Sequence, residues 1–432
     1  MADCIIIGAT LPGLALGALL ARKGKRVVVI ERTSVPGGRA ALWEREGYTS
    51  LSGIQRIRYG KHGAFTRICR AVGIDLALSN LETLSVLDVD GKVKRIPTGY
   101  TECITTEFFS LFDRIQALRM FRTLRNTSHF EELEEVGLEE WFVRDNVGKS
   151  LQRVFSLLAC EVMNCTAIER ISSGGFLASF KRVLETGCYL AYPRWGWEPL
   201  LQSFQKEILK RGEIRWNCRV DAIRVSHGRV RGVETGSQNV ESRCVVSALP
   251  CQQLFKILSP GVTHQEFVAL CRKSKPSAGI IMDFAMKHRV TKDKGMWFFL
   301  DPPSYGVFVS NLCHRHAPPG RQLATCICPC SIEEAKQADI TGVFERKMEQ
   351  NLRAAFPGIE TSLEWKRSRV VLMLDSVEMN IMQTRKDRPG YHVPNVEGLY
   401  MVGDSTCAPG VTAEVEYESV LGCYEKITGE GI

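Results

Sequence analysis

The sequence predicts an α/β fold built on a parallel sheet wrapped by helices, and three observations carry that prediction. Residues 4–7, Cys-Ile-Ile-Ile, form a short uninterrupted apolar run, as a strand covered on both faces does. A turn, Gly8-Ala9-Thr10-Leu11-Pro12-Gly13, leads into Leu14-Ala15-Leu16-Gly17-Ala18-Leu19-Leu20-Ala21, whose small residues and leucines suit a closely packed helix closed by Gly24. Residues 27–30, Val-Val-Val-Ile, are a second apolar run and end at Glu31. Strand, helix and strand in this order make a βαβ unit.

Composition bounds the rest. The 432 residues carry 56 Lys+Arg against 48 Asp+Glu, a net charge of +8, with 44% hydrophobic and 24% charged residues. These are globular proportions, which exclude a disordered or collagen-like chain. The length suits two or three domains. Basic residues are scattered, with no run of five or six, so no nucleic-acid partner is expected. Sixteen cysteines in so long a chain do not read as a secreted disulfide scaffold. The first residues carry an acid, Asp3, and no signal-peptide cleavage pattern follows, so a cytoplasmic protein with reduced, buried thiols is expected. No apolar run has the length of a membrane span.

The turn has the spacing of a dinucleotide fingerprint, G-x-G-x-x-G, with Thr10 in the second glycine position. Gly8 permits the tight turn, the helix N-terminus offers amides and a positive dipole end to a pyrophosphate, and Gly13 lets helix and strand approach. Glu31 can accept hydrogen bonds from a ribose. Thr10 crowds the place where backbone meets phosphate; its hydroxyl could donate a hydrogen bond in compensation. The bland alternative is an α/β turn that binds nothing.

Arg32-Thr33-Ser34-Val35-Pro36-Gly37-Gly38-Arg39-Ala40 follows. Here the chain resembles the flavoprotein group of phytoene desaturases, carotenoid isomerases, retinol saturases, protoporphyrinogen oxidase and monoamine oxidases, in which a G-G-R segment belongs to the FAD site. Three further stretches extend the resemblance. Tyr192–Leu200 looks like a P-x-G-G-M-x-x-L segment preceding a helix. Residues 213–225 look like a strand that brings the backbone of Val220 to the adenine, and Val245–Pro250 looks like the strand returning to a second domain. Near the C-terminus, Leu399–Asp404 reads as a strand ending in Gly-Asp, followed by a helix over 413–428. The resemblance implies FAD, with Gly8, Thr10, Gly13, Glu31, Arg32, Gly38, Arg39, Val220, Gly403, Asp404 and Val411 as its binding residues. Asp404 would hold the ribityl chain. No cysteine occupies 384–402, where the covalent tether of monoamine oxidases would lie, so the FAD is expected to be non-covalent.

The matches imply a discontinuous Rossmann-like FAD-binding domain of residues 1–75, 190–250 and 385–432. Residues 76–189 and 251–384 would form an α+β substrate domain with a mixed sheet and a helical cap. Ala278–Ala285 and Arg369–Leu374 look like strands of that sheet. Over 108–125, apolar positions 108, 111, 112, 115, 118, 121 and 124 fall at helical spacing, with Arg114, Arg119, Arg122 and Arg125 on the polar side. Such a helix either packs on the substrate domain or lies on a membrane surface.

The resemblance points away from amine oxidation in two places. Ala408–Thr412, where amine oxidases place an aromatic residue, has none, and Ser277–Phe284 lacks their interior lysine, although Lys275 precedes it. The Pro409-Gly410 pair is closer to the phytoene desaturase side, whose substrates are apolar isoprenoids or polyenes in an apolar tunnel. The expectation is an FAD-dependent oxidoreductase that moves a hydride between flavin and a C–H bond of a hydrophobic substrate, as desaturase, saturase or isomerase. No catalytic side chain is assigned. A flavin amine oxidase and a non-catalytic partner that keeps the fold are the alternatives. Cys326-Ile327-Cys328-Pro329-Cys330 lacks metal-site spacing and reads as strand packing, so no metal is assigned. Cys407 reads as a packing residue near the flavin. Thr10, Leu51 (where the group carries an acid) and Trp195 are departures that suggest an altered substrate face.

Overall fold

The computed structural model describes residues 1–88, 91–106, 108–236 and 238–432. The apolar runs are strands of one five-stranded parallel sheet, in the spatial order Glu213–Arg215, Val27–Ile30, Cys4–Ile7, Val245–Ser247 and Leu399–Met401. Cys4–Ile7 and Val27–Ile30 are buried along their whole length, because helices cover one face and a second apolar layer the other. The helix Leu11–Arg22 packs on the sheet beside Glu198–Leu209 and the C-terminal helix Ala413–Thr428.

A seven-stranded mixed sheet forms the second layer system, ordered Leu363–Val371, Ala278–Met286, Gln322–Cys330, Pro303–Val307, Met296–Leu300, Leu84–Leu87 and Val93–Ile96. Only Met296–Leu300 with Leu84–Leu87 is a parallel pair in it. Period-two alternation sorts its two faces. Ile281, Ala285 and Ile327 face a core shared with the helical cap, whereas Ile280, Met282, Phe284, Cys326 and Cys328 pack under Met348 and Leu352 of the helix Ala338–Ala355. Cys326 and Cys328 are thus core residues on the face that carries the helix. The cap consists mainly of Leu111–Asn126, Leu138–Arg144, Lys149–Met163 and Ser173–Thr186.

The structure corrects the sequence in three places. Residues 213–225 are not one strand. Glu213–Arg215 closes the parallel sheet, Asn217 turns the chain at φ 51°, and Ala222–Ser226 starts a separate three-stranded antiparallel sheet. The strand expected at Arg369–Leu374 runs Leu363–Val371 instead. The helix expected over 108–125 starts at Leu111, where Ser110 caps it by accepting from the Asp113 amide at 3.1 Å. Its buried side is Asp113, Ala117, Phe121 and Leu124, so Leu111, Phe112 and Ile115 of the expected apolar face lie outside. Among the described residues no helix is long and apolar enough to cross a membrane.

Candidate functional site

The C-terminal ends of the parallel strands open into one elongated cleft of about 780 Å³. Gly8, Thr10, Glu31, Arg32, Gly38, Arg39, Val220, Gly403 and Asp404 all line it. Gly13 lies just behind the lining, where a Cβ would come within 2.3 Å of the Gly8 carbonyl oxygen. Val411 lies elsewhere. It faces a separate cavity of about 270 Å³ against the helical cap, together with Pro409 and Gly410.

The first turn is built around a capping hydroxyl. Thr10 Oγ1 accepts from the Gly13 amide at 3.2 Å and donates to the Ala248 carbonyl at 3.4 Å. The hydroxyl is thus held within the turn, beside the cleft. Pro12 has no N–H, the Gly13 amide is used by Thr10, and the Thr10–Gly37 bridge pairs this turn with the Gly37 segment. Glu31 is oriented from both sides: Oε2 accepts from the Ala9 amide at 2.9 Å, and Oε1 accepts from the Thr33 amide and hydroxyl, each at 2.9 Å. The Cys218 amide donates to the Glu31 carbonyl at 2.8 Å, which brings Val220 beside it.

The second cluster is charged. Arg39 Nη1 donates to Asp404 Oδ2 at 2.6 Å and to the Leu374 carbonyl at 3.0 Å, and its Nη2 donates to Glu416 Oε2 at 3.2 Å. Burial works against the Arg39 charge, but Asp404, Glu416 and Asp375 outweigh it and hold the pKa above its ordinary value. Asp404 is buried, which opposes its charge, yet Arg39 and the Ser376 amide keep its carboxyl below the usual range. Burial pushes Glu416 up to about 7. Gly403, at φ 128°, has nothing within 4 Å of the place a Cβ would take, so its missing side chain leaves cleft space open.

A smaller chamber of about 50 Å³ lies across the segment 50–56 from the cleft. The segment 50–56 divides them: Ser52 faces the cleft, while Leu51, Gly53, Gln55 and Arg56 face the chamber, and the Gly53 amide donates to the Arg39 carbonyl at 2.8 Å. The opposite wall is the mixed sheet. Asp283, Thr325, Ile327 and Arg369 project there because they share one face of neighbouring strands. Asp283 accepts from Thr325 Oγ1 and Arg369 Nη2, both at 2.9 Å. Arg56 and Arg58 share the single carboxylate of Glu161, which also accepts from Tyr189. His316 Nδ1 contacts the Thr49 carbonyl, an acceptor only, so Nδ1 carries the proton and Nε2 the lone pair. Burial holds His316 below its ordinary pKa. Ile54, Met296, Val307 and Val309 complete an otherwise apolar lining. The chamber is compact, where the sequence led us to expect an extended apolar tunnel.

Leu51 lies in the chamber and lends its carbonyl to Arg369. Trp195 is 55% exposed, rests on the His314 ring and lines neither space; Trp197 is the tryptophan of the chamber. Cys407 lines neither space. Sequence reasoning missed Gln55, Arg56, Asp283, His316, Arg369 and Glu416. One signal was present for Asp283, the lone charge inside the apolar run Ala278–Met286.

The cleft fits an extended dinucleotide. It has an oriented carboxylate for a ribose, glycines where side chains would intrude, and a buried Arg–Asp pair further along.

Comparison with known proteins agrees. The chloroplastic prolycopene isomerase of Arabidopsis thaliana is 23% identical, the alignment covering 94% of this chain and 79% of that one. An oxidoreductase from Methanosarcina mazei superposes with a TM-score of 0.83 at 19% identity, over 98% of this chain and 99% of the other. Cyclohexylamine oxidase from Brevibacterium oxydans does so with a TM-score of 0.71 at 14% identity, over 99% and 98%. Residues 11–419 match the model of the family described as flavin containing amine oxidoreductase, and the chain belongs to that family of flavin-dependent oxidoreductases.

Proposed function

We propose that the protein binds FAD without a covalent bond and moves a hydride between the flavin and a C–H bond of a hydrophobic, isoprenoid- or polyene-like substrate, as a desaturase, saturase or isomerase. The observation that carries this reading is the cleft itself, along which Glu31, Arg39 and Asp404 gather, with a small, mostly apolar chamber across the segment 50–56 from it. The flavin, when bound, supplies hydride donation and acceptance. Glu31 would accept from ribose hydroxyls, and Asp404 with Arg39 would hold the sugar-alcohol chain. Ile54, Met296, Val307 and Ile327 give the chamber the apolar wall against which a hydrocarbon segment would pack.

The chamber lining sets two guanidiniums, Arg56 and Arg369, against one carboxylate, Asp283, which disfavours an amine. Arg56 and Arg58 share one carboxylate, and Arg56 lies over the Tyr305 ring, 5.3 Å from its centroid. An ammonium substrate would meet a guanidinium on the aromatic face that a cation would otherwise use. The prolycopene isomerase relative supports a polyene substrate, and the amine oxidase neighbours share the fold.

The test starts from the absorbance spectrum of purified protein. Flavin bands are expected, with FAD released to the supernatant on acid precipitation. Protein that stays colourless after incubation with FAD would refute cofactor binding. The reduced holoenzyme is then given a poly-cis polyene, followed by chromatography of the isomers, and separately a primary amine with peroxide detection. Amine-dependent peroxide with an unchanged polyene would favour amine oxidation.

A further inference from the structure

We infer that the outer face of the helix Leu111–Asn126, with the end of the preceding helix Tyr100–Thr105, docks the protein on an anionic phospholipid surface. The rotation of this helix sets which side chains face outward. Because Asp113, Ala117, Phe121 and Leu124 face inward, the residues at 111, 115, 119 and 122 form one line along the opposite side. That line has two halves. Its N-terminal half is Leu111 and Ile115 with Phe112 beside them, 73%, 44% and 66% exposed. Its C-terminal half is Arg119 and Arg122, both exposed.

The apolar half is enlarged by a neighbour. Arg114 donates from Nε to the Phe109 carbonyl at 3.1 Å and from Nη1 to the Ile104 carbonyl at 3.0 Å. This ties the end of Tyr100–Thr105, where Ile104 is 56% exposed, to the start of the next helix. Exposed large apolar residues are ordinary when single; a cluster beside arginines on one face marks a contact surface.

Charge selects the occupant. Asp113 is buried and bonded to Ser110, and Glu102 is bonded to Thr98 and Arg95, so these two acids are engaged within the protein. A row of apolar side chains continued by arginines matches a bilayer interface, where apolar groups enter the acyl boundary and guanidiniums meet lipid phosphates. A second copy of the chain would set the same arginines against each other. The proposal is independent of the cleft and of any cofactor.

The experiment is co-sedimentation of the full chain with phosphatidylcholine vesicles, with and without phosphatidylglycerol. Wild type is expected to pellet with the anionic vesicles, less so with neutral ones, and less as salt rises. The pair Arg119→Glu with Arg122→Glu should weaken binding by about tenfold or more. The pair Leu111→Ser with Phe112→Ser should also release the protein while leaving its melting temperature unchanged, since both side chains are exposed. In a Phe112→Trp variant, emission should shift to shorter wavelength on adding anionic vesicles. Wild type that stays in the supernatant, or pelleting that neither pair reduces, would overturn the inference. So would sedimentation velocity showing a dimer that Leu111→Ser with Phe112→Ser converts to monomer.

Discussion

Asp404 and Glu416 meet the same guanidinium, yet their environments push their pKa values apart. Asp404 takes the shorter bond to Arg39 and a backbone amide, so it stays charged. Glu416 takes the longer bond and one from the Gln55 side chain at 3.3 Å, and burial raises it to about 7; burial also raises Glu414, on the same helix, to about 7. Asp404→Ala should therefore leave a folded protein that loses flavin on gel filtration. Loss of a charged hydrogen-bond partner costs about 1.5–3 kcal/mol, so the FAD dissociation constant should rise by roughly ten- to a hundredfold. The raised acids give a pH signature of definite sign. Between the unfolded value near 4.5 and the folded value near 7, the folded state binds more protons than the unfolded chain. Their contribution to stability is thus complete below about 4.5 and is lost as pH rises through 7. Urea denaturation across that range should show the loss, and Glu416→Gln should shrink it; a slope unchanged in the variant would contradict the assignment.

At the scale of elements, the first helix sits close to the sheet because Gly13 has no side chain. Gly13→Ala would place a methyl group 2.3 Å from the Gly8 oxygen and 3.0 Å from the Ala248 Cβ. The turn would have to open, at a cost of about 1–3 kcal/mol, and thermal unfolding should record the loss together with weaker flavin retention. The C-terminal helix has a different device at its start. Thr412 occupies φ 46°, ψ −125°, a region that suits glycine, and its hydroxyl accepts from Arg58 Nε at 3.2 Å. The sequence made the short strands legible because strands buried on both faces leave unbroken apolar runs. It made the helix over 413–428 legible because Gly-Asp and Pro-Gly punctuate what precedes it. It did not show the break inside 213–225, where one asparagine adopts positive φ. Nor did it show the rotation of Leu111–Asn126: helical spacing marks which residues share a side, and tertiary packing decides which side faces in. Asp283 and Arg369 escaped notice for a related reason, because their meeting depends on strand register between segments 86 positions apart.

At the scale of the whole molecule, strands from the N-terminus, the middle and the C-terminus close one sheet, and the cleft exists only when all of them are in place. A buried ion cluster ties the cap to the start of the last helix. Arg56 and Arg58 come from the segment after the cleft wall, Glu161 and Tyr189 from the cap side, and Thr412 from the start of the last helix. Glu161 is fully buried, and burial opposes its charge; Arg58 and Arg56 nevertheless hold its carboxyl below the ordinary range. Removing that carboxylate strands two arginines without a counter-charge, so Glu161→Gln should destabilise the protein by about 3–5 kcal/mol. The same connectivity predicts how the molecule responds to FAD. A ligand at a hundred times its dissociation constant adds about 2.7 kcal/mol to the folded state. In a chain of this size that should raise the melting temperature by roughly 3–5 °C. Because the cleft draws on distant parts of the chain, the whole transition should move as one in calorimetry. At the same FAD concentration, Asp404→Ala should cut the shift to about half or less. Glu161→Gln, placed outside the cleft, should keep the shift from a lower starting temperature. Two resolved transitions, only one of them moved by FAD, would show instead that the parallel sheet and the cap unfold independently and that the buried cluster does not couple them.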